Sequence, residues 1–151
     1  MTAPTGVTTA AQGSSEQRVV VGVDGSECGF RALEFAADEA ELRDAVLHVV
    51  SAYEASPSVA AWPVVPLEPD QEHAAAVVDT SLERVQEGHP ALVCKGEIRY
   101  GVAGRILIEA SDGASLLVVG THGRGPVSNL LLGSVAGFCV RHATIPLTVV
   151  H

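Results

Sequence analysis

The feature of this sequence that most restricts its fold is an alternation of short β-branched runs with longer segments of helical spacing. This pattern predicts strands at 18–23, 45–51, 91–98, 115–119 and 146–150, and helices at 26–43, 70–87, 102–112 and 134–142. Strands that alternate with helices through right-handed crossovers form one parallel sheet covered on both faces. We therefore expect an α/β three-layer sandwich with a five-stranded parallel sheet.

The alternation extends over a single domain, residues 18–151, without an internal repeat or a linker. A flavodoxin- or Rossmann-like strand order, 3-2-1-4-5, is favoured for such a sheet. Residues 1–17 are small and polar and show no periodicity, so we predict a flexible N-terminal tail. Residues 52–69 hold four of the eight prolines and the single Trp, which predicts a long loop. Such a loop is either functional or a variable surface excursion.

Composition excludes several classes of function. Apolar residues make up 47% of the chain and aromatic residues 4%, so the core must be aliphatic. The net charge of −9 and the lack of a basic cluster argue against nucleic-acid binding. A small polyphosphate ligand stays compatible, because distant surface charges are screened by salt. The single lysine, Lys95, lies in a predicted strand, which removes the usual phosphate-binding lysine.

Cysteines and histidines do not form a recognisable site. Three cysteines at wide spacing match neither a disulfide framework nor a zinc pattern, so we expect small buried side chains in a reducing compartment. The six histidines lack i, i+4 pairing and a cysteine partner, so we expect no metal site. A basic segment before an apolar stretch and an apolar run of about 20 residues are both missing, so we expect a cytoplasmic protein without membrane contact.

A glycine-rich element follows the fourth predicted strand. Its residues 120–123 read Gly-Thr-His-Gly, and Gly133 and Ser134 follow after nine more residues. Glycines at a strand-to-helix junction allow backbone amides and a helix N-terminus to approach an anion closely, which suggests a phosphate cradle. We expect Ser134 to cap the last helix and Arg124 to contact a phosphate, unless Arg124 is a solvated loop residue. A loop that merely turns the chain is the alternative, since neither common nucleotide-binding glycine motif is present.

Asp24 follows the first predicted strand. If strands one and four are neighbours, Asp24 and the glycine loop face one crevice at the carboxyl ends of the strands. A carboxylate there can accept hydrogen bonds from a ribose or an adenine amine. Capping of the first helix is the competing role for Asp24.

Several segments resemble the universal stress protein family, and the resemblance spans about residues 18–151. The segments are Val21-Gly22-Val23-Asp24-Gly25-Ser26, Leu47-His48-Val49-Val50, Gly120-Thr121-His122-Gly123-Arg124-Gly125, Leu131-Leu132-Gly133-Ser134-Val135 and Arg141-His142-Ala143-Thr144-Ile145-Pro146. The glycine and serine spacing is specific in this setting, because it follows strand four of the expected alternation.

The resemblance implies an ATP-binding domain, typically homodimeric, that acts in stress or dormancy regulation. It implies adenosine contacts from Asp24 and Val49. It implies ribose and phosphate contacts from the glycine loop and the last helix, with Mg²⁺ held by the phosphates where it is present. The residues assigned to the loop and helix are Gly120, Gly123, Gly133, Ser134 and Val135, and Gly22, Thr121, His122, Arg124 and Gly125 of the same motifs complete the predicted site.

One departure from the family pattern affects the choice of nucleotide. Many ATP-binding members carry Arg or Lys where this chain has Ser128-Asn129, and Pro126 removes one loop amide. AMP or cyclic AMP therefore stays open beside ATP.

Three functions remain in competition. The first is a nucleotide-dependent regulatory switch with little or no turnover, acting on an unidentified regulatory partner. The second is a slow ATPase, against which the sequence offers no evident base or water-positioning residue near the loop. The third is a ligand-free scaffold. Residues 146–150 would form an apolar sheet edge, so we expect a two-fold homodimer through that strand.

Overall fold

The computed structural model describes residues 16–54, 68–123 and 131–151, with the side chains of residues 68 and 69 left out. Within these ranges nine elements alternate in the predicted way. They are β1 (Arg18–Gly22), α1 (Glu27–Leu42), β2 (Val46–Tyr53), α2 (Glu68–Gly88), β3 (Cys94–Tyr100), α3 (Ala103–Ala110), β4 (Leu116–Gly120), α4 (Ser134–His142) and β5 (Leu147–Val150).

The sheet of the described residues has five parallel strands in the order β3-β2-β1-β4-β5, which confirms the predicted topology. Successive side chains of a strand point to opposite faces, and both faces are buried. Thus Val19 and Val21 of β1 belong to the core under α1 and α2, whereas Val20 belongs to the core with α3 and α4. The core is aliphatic, as the composition requires.

Some element bounds differ from those predicted. β2 and β3 both extend further, because residues 51–53 of β2 pair with residues 98–100 of β3. α2 begins at Glu68, so Pro69 lies in a helical first turn, where its missing N–H has no intrahelical partner to lose. Most of the predicted tail and loop lies outside the described residues. Gln17, at the end of the predicted tail, is bound to the sheet, since its carbonyl accepts the N–H of Val46 at 2.8 Å.

The two edges of the sheet differ in character. β3 carries the charged side chains of Lys95, Glu97 and Arg99 at every second position. β5 has the sequence Leu-Thr-Val-Val, without a charge. Charged side chains on an edge strand oppose pairing with another chain. The β5 edge is therefore the more suitable of the two for pairing.

Candidate functional site

The carboxyl ends of β1 and β4 are neighbours, as the strand order predicted, and we call the region between the segments that follow these two strands the crevice. The two strands pair directly, so Asp24 after β1 lies beside the loop after β4. A Cβ placed on Gly123 would lie 2.6 Å from Oδ2 of Asp24. The half-buried Asp24 carboxylate and the glycine loop are therefore in contact.

The N-terminus of α1 determines how Asp24 is held. Oδ1 of Asp24 accepts the N–H of Ser26 at 2.9 Å, and Oγ of Ser26 accepts the N–H of Gly29 at 3.1 Å. Ser26 is thus the N-cap of α1, and the alternative that Asp24 caps this helix is wrong. One oxygen of Asp24 fixes the turn, while the other lies towards Gly123.

The glycines of the crevice have different structural roles. A Cβ on Gly120 would lie 2.9 Å from the backbone carbonyl carbon of Cys28, so Gly120 allows α1 to pack closely on β4. A Cβ on Gly22 would lie 2.5 Å from the side chain of Leu107, so Gly22 allows α3 to approach β1. These two glycines serve helix packing, whereas Gly123 leaves room beside the Asp24 carboxylate.

Two residues of the predicted site, Gly133 and Thr121, form hydrogen bonds within the protein. The Gly133 N–H donates to the Thr121 carbonyl at 2.6 Å, so the prediction that this amide is available to a phosphate is wrong. The Thr121 N–H donates to the Val150 carbonyl at 2.8 Å. Its hydroxyl lies 3.5 Å from Nδ1 of His151 and 3.8 Å from Sγ of Cys28. The side chain of Thr121 is buried and therefore links the loop to β5 rather than facing solvent.

The start of α4 leaves other amides available. Gly133 is the N-cap and provides no side-chain hydrogen bond, so the prediction that Ser134 caps this helix is wrong. Ser134 is instead the first helical residue, and it is exposed. The amides of a helical first turn have no intrahelical acceptor. The N–H groups of Ser134, Val135 and Ala136 are such amides, although the side chain of Val135 packs on the core.

Val49 does not lie at the surface of the crevice. It is in the middle of β2, paired with Val21 on one side and Gly96 on the other. Its side chain is 0% exposed and belongs to the core under α1 and α2. A ligand cannot touch this side chain in the folded protein, so the adenosine contact of Val49 stays a prediction for its backbone alone.

The remaining predicted site residues belong to the loop after β4. His122 is half-buried and lies beside Gly123. Arg124 and Gly125 lie outside the described residues, as do Pro126 and residues 128–129.

The structure adds side chains at the same end of the sheet that the sequence did not single out. Tyr53 and Tyr100 end β2 and β3, with ring centroids 5.7 Å apart, and Tyr100 is 65% exposed. His73 of α2 lies above the turn after β1, with Nε2 3.8 Å from the position of a Cβ on Gly25. In the sequence, each tyrosine lies two residues beyond a predicted strand, at 45–51 or 91–98. Extending these two strands by two residues would have brought both tyrosines to the predicted site.

The cysteines vary in burial. Cys139 is fully buried, and desolvation raises the pKa of its thiol to about 11. Burial also raises the pKa of Cys94, which is only half-buried, like Cys28. A raised pKa disfavours the reactive thiolate. Only Cys139 fully matches the expectation of a buried thiol.

Within residues 16–54, 68–123 and 131–151, no three His, Cys, Asp or Glu side chains are grouped to hold a metal ion. The helices of these same ranges include none with the length and apolar character needed to cross a membrane.

Comparison with known proteins identifies the family. The family model described as universal stress protein family matches residues 16–151. The chain is 36% identical over 151 residues to a universal stress protein of Mycobacterium tuberculosis, covering 93% of this chain and 50% of that protein. It is 35% identical over 152 residues to one of Mycolicibacterium smegmatis, with the same two coverages. The chain thus spans about half the length of the curated relatives it matches.

Solved structures have the same fold. A universal stress protein in complex with cyclic AMP is 28% identical, with a TM-score of 0.70, over 91% of this chain and 99% of the other. The universal stress protein of Archaeoglobus fulgidus in complex with dAMP has the same TM-score at 20% identity, over 89% and 98% of the two chains. The motifs of the crevice, the sheet order and these matches lead to one conclusion: the chain belongs to the universal stress protein family.

Proposed function

We propose that this protein binds an adenine nucleotide at the crevice between β1 and β4 and acts as a nucleotide-dependent regulatory switch in the stress response. The observation on which the proposal rests is the contact between the Asp24 carboxylate and Gly123, beside the exposed start of α4. A hydrogen-bond acceptor for a nucleoside and a group of amide donors for a phosphate are thus neighbours.

Each part of the nucleotide has a partner of suitable chemistry. The first-turn amides of α4 and the Ser134 hydroxyl would hold phosphate oxygens, helped by the positive end of the helix dipole. Hydrogen bonds to a charged group contribute about 1.5–3 kcal/mol each. Oδ2 of Asp24 would accept from the ribose or the adenine amine. Because Gly133 donates internally, the phosphate contacts begin at Ser134 rather than one residue earlier.

ATP, with Mg²⁺ on its phosphates, is the proposed ligand, and AMP and cyclic AMP are the alternatives. A solved relative that is 28% identical to this chain holds cyclic AMP, which supports an adenine-nucleotide ligand and keeps cyclic AMP as an alternative to ATP. Arg124, in the loop that would extend over further phosphates, lies outside the described residues.

Regulation rather than catalysis is supported by how the site connects to the sheet edge. Thr121 accepts from Gly133 through its carbonyl and donates to Val150 through its N–H, so it joins the start of α4 to β5. A ligand at Ser134 would thereby bias the position of β5. We propose that the protein is a homodimer through β5, the uncharged edge. Nucleotide binding would change the surface of this dimer that a regulatory partner in the cytoplasm contacts.

The test measures binding and turnover together. Isothermal titration and thermal unfolding with ATP, AMP and cyclic AMP should show micromolar binding of at least one of them. Saturation at about 1,000 times Kd should raise the unfolding free energy by about 4 kcal/mol. Chromatography of the ATP sample should show no appreciable ADP.

Asp24→Asn is the matched variant, because an amide oxygen can still accept from Ser26 while the charge is lost. It should weaken binding about tenfold with little effect on stability. Absence of binding by every nucleotide would leave the ligand-free scaffold, and ADP release at a steady rate would instead identify a slow ATPase.

A further inference from the structure

We infer that the groove between α1 and α2 is a docking site for a lysine- and arginine-rich segment of a partner protein. The groove has a volume of about 670 Å³. It is lined by Leu33, Glu34, Ala37, Arg84, Val85, Glu87, Gly88 and His89. It therefore lies between the middle of α1 and the C-terminal turns of α2.

The charge of the molecule is concentrated in the layer that contains this groove. The segments of α1 and α2 hold eleven of the 18 acidic residues but only two of the nine basic ones, Arg31 and Arg84, which gives −9. The rest of the chain holds seven of each and is neutral. The net charge of the whole protein thus resides in one layer, and that layer attracts a basic partner.

The acidic groups on the two walls of the groove are not neutralised by neighbours. Glu34 on α1 and Glu87 on α2 are exposed and form no ion pair with any other described residue. By contrast, Glu39 of the same layer pairs with Arg43 at 2.9 Å. The groove therefore presents two open carboxylates from opposite sides.

The basic residues of the groove, Arg84 and His89, already contact other side chains of the protein. The Arg84 guanidinium lies 4.0 Å from the ring centroid of Phe30. Nδ1 of His89 lies 3.0 Å from Oε2 of Glu41, and its Nε2 lies 3.6 Å from Oδ1 of Asp38. These groups do not compete for Glu34 or Glu87.

The floor of the groove decides what kind of basic segment fits. Leu33, Ala37 and Val85 are at most 3% exposed, so an apolar side chain would find almost no apolar surface to cover. This excludes the usual docking of an amphipathic helix by its apolar face. Lys and Arg side chains fit better, because their charged ends can pair with the wall carboxylates and this pairing does not depend on covering apolar surface.

The groove is independent of the crevice between β1 and β4. Asp24 lies before α1, at the carboxyl end of the sheet, whereas Gly88 ends α2 and His89 follows it, at the opposite end. Both sites can therefore be occupied at once.

The experiment uses a short fluorescein-labelled peptide of alternating Lys and Ala, with a Gln and Ala peptide as the uncharged control. Fluorescence anisotropy should show binding of the Lys peptide alone, weakening as NaCl rises from about 50 to about 300 mM. The double variant Glu34→Lys with Glu87→Lys should bind roughly tenfold more weakly. Glu72→Lys with Asp79→Lys is the matched control, since it changes the net charge equally at exposed positions of α2 outside the groove.

The control pair should bind within about twofold of the parent protein, and NMR amide shifts should concentrate at residues 33–37 and 84–89. Equal weakening by both double variants would show non-specific attraction and overturn the inference. Displacement of the peptide by an equal concentration of spermidine would show a site for small polycations and overturn it as well. So would loss of self-association in the Glu34 and Glu87 variant, because the occupant would then be a second copy of the chain.

Discussion

Glycines of the crevice that look alike in the sequence differ in what surrounds them. A methyl group on Gly120 would meet the backbone of Cys28, which cannot rotate away. A methyl group on Gly123 would meet only the end of the Asp24 side chain, which can move. Substitution at the two positions should therefore separate stability from ligand binding.

We predict that Gly120→Ala lowers the free energy of unfolding by about 1–3 kcal/mol, because overpacking forces α1 away from β4. Gly123→Ala should leave the free energy of unfolding nearly unchanged but weaken nucleotide binding, because it displaces Oδ2 of Asp24. Urea unfolding and isothermal titration give the two quantities. Gly88→Ala is the control, since a Cβ there meets no atom within 4 Å and should be neutral or slightly stabilising. Equal destabilisation at Gly120 and Gly123 would contradict the assigned roles.

His48 is a polar side chain inside the layer between the sheet and α3. Its Nε2 lies 2.8 Å from Oε2 of Glu97, while its Nδ1 is buried without a hydrogen-bond partner. Desolvation lowers the pKa of His48 and outweighs the opposing effect of Glu97. The neutral imidazole is therefore the form that the fold favours.

The lowered pKa predicts a stability that depends on pH. The unfolded chain binds a proton to His48 at a higher pH than the folded protein does, so stability is fully present above about pH 6.5 and falls as the pH decreases below it. His48→Leu should reduce this slope, because it removes the titrating group. Urea unfolding of both proteins between about pH 7.5 and pH 5.5 measures the difference. An unchanged slope in the variant would assign the pH dependence to other groups.

The two helix N-termini at the crevice, those of α1 and α4, differ in whether a side chain caps them. α1 has a side-chain cap, in which Ser26 accepts from Gly29. α4 has none, because Gly133 occupies the N-cap and Ser134 is already helical. A capped helix end has satisfied donors, whereas an uncapped one keeps donors available for a ligand.

Removing the two serine hydroxyls should therefore have unequal effects on stability. Ser26→Ala should lower the free energy of unfolding by about 1 kcal/mol, the usual cost of a lost N-cap. Ser134→Ala should leave stability unchanged and weaken nucleotide binding, because its hydroxyl caps no helix. Urea unfolding of the two variants side by side makes the comparison. A loss of stability in Ser134→Ala as large as that in Ser26→Ala would restore the capping role.

The whole molecule has two unlike faces and two unlike edges. The layer of α1 and α2 carries the net charge, while the opposite layer with α3 and α4 belongs to the neutral remainder of the chain. The β3 edge is charged, and the β5 edge is not. Self-association through β5 therefore leaves the acidic layer accessible for a different partner.

Proline at the β5 edge tests the proposed dimer. The carbonyls of Pro146 and Val150 accept hydrogen bonds from the β4 side, so the alternate residue Val149 directs its amide to the open edge. Val149→Pro should therefore remove a donor needed by a partner strand without breaking the pairing with β4. Sedimentation velocity should give a dimer for the parent protein and a monomer for the variant, which should still unfold cooperatively.

Cys94→Pro is the matched control at the other edge. The Val93 carbonyl accepts the N–H of Leu47 in β2, so the next residue, Cys94, directs its amide to the open edge. It should leave the dimer intact. A parent protein that sediments as a monomer, or dissociation by Cys94→Pro alone, would contradict pairing through β5.

The sequence alone determined the alternation of elements and hence the sheet and its order, because periodicity and crossover handedness are local or general properties of chains. It also brought Asp24 and the glycine loop to one crevice. It misplaced the ends of β2 and β3, because pairing between strands extends them beyond the local signal.

Only the tertiary structure decided which groups in the crevice are available. The Gly133 amide and the Thr121 hydroxyl look suited to a phosphate in sequence, yet hydrogen bonds across the fold occupy them. Val49 lies in the core for a related reason, since its neighbours on both sides are strands distant in sequence. Availability depends on which distant segments pack against a residue, and a local pattern does not contain that information.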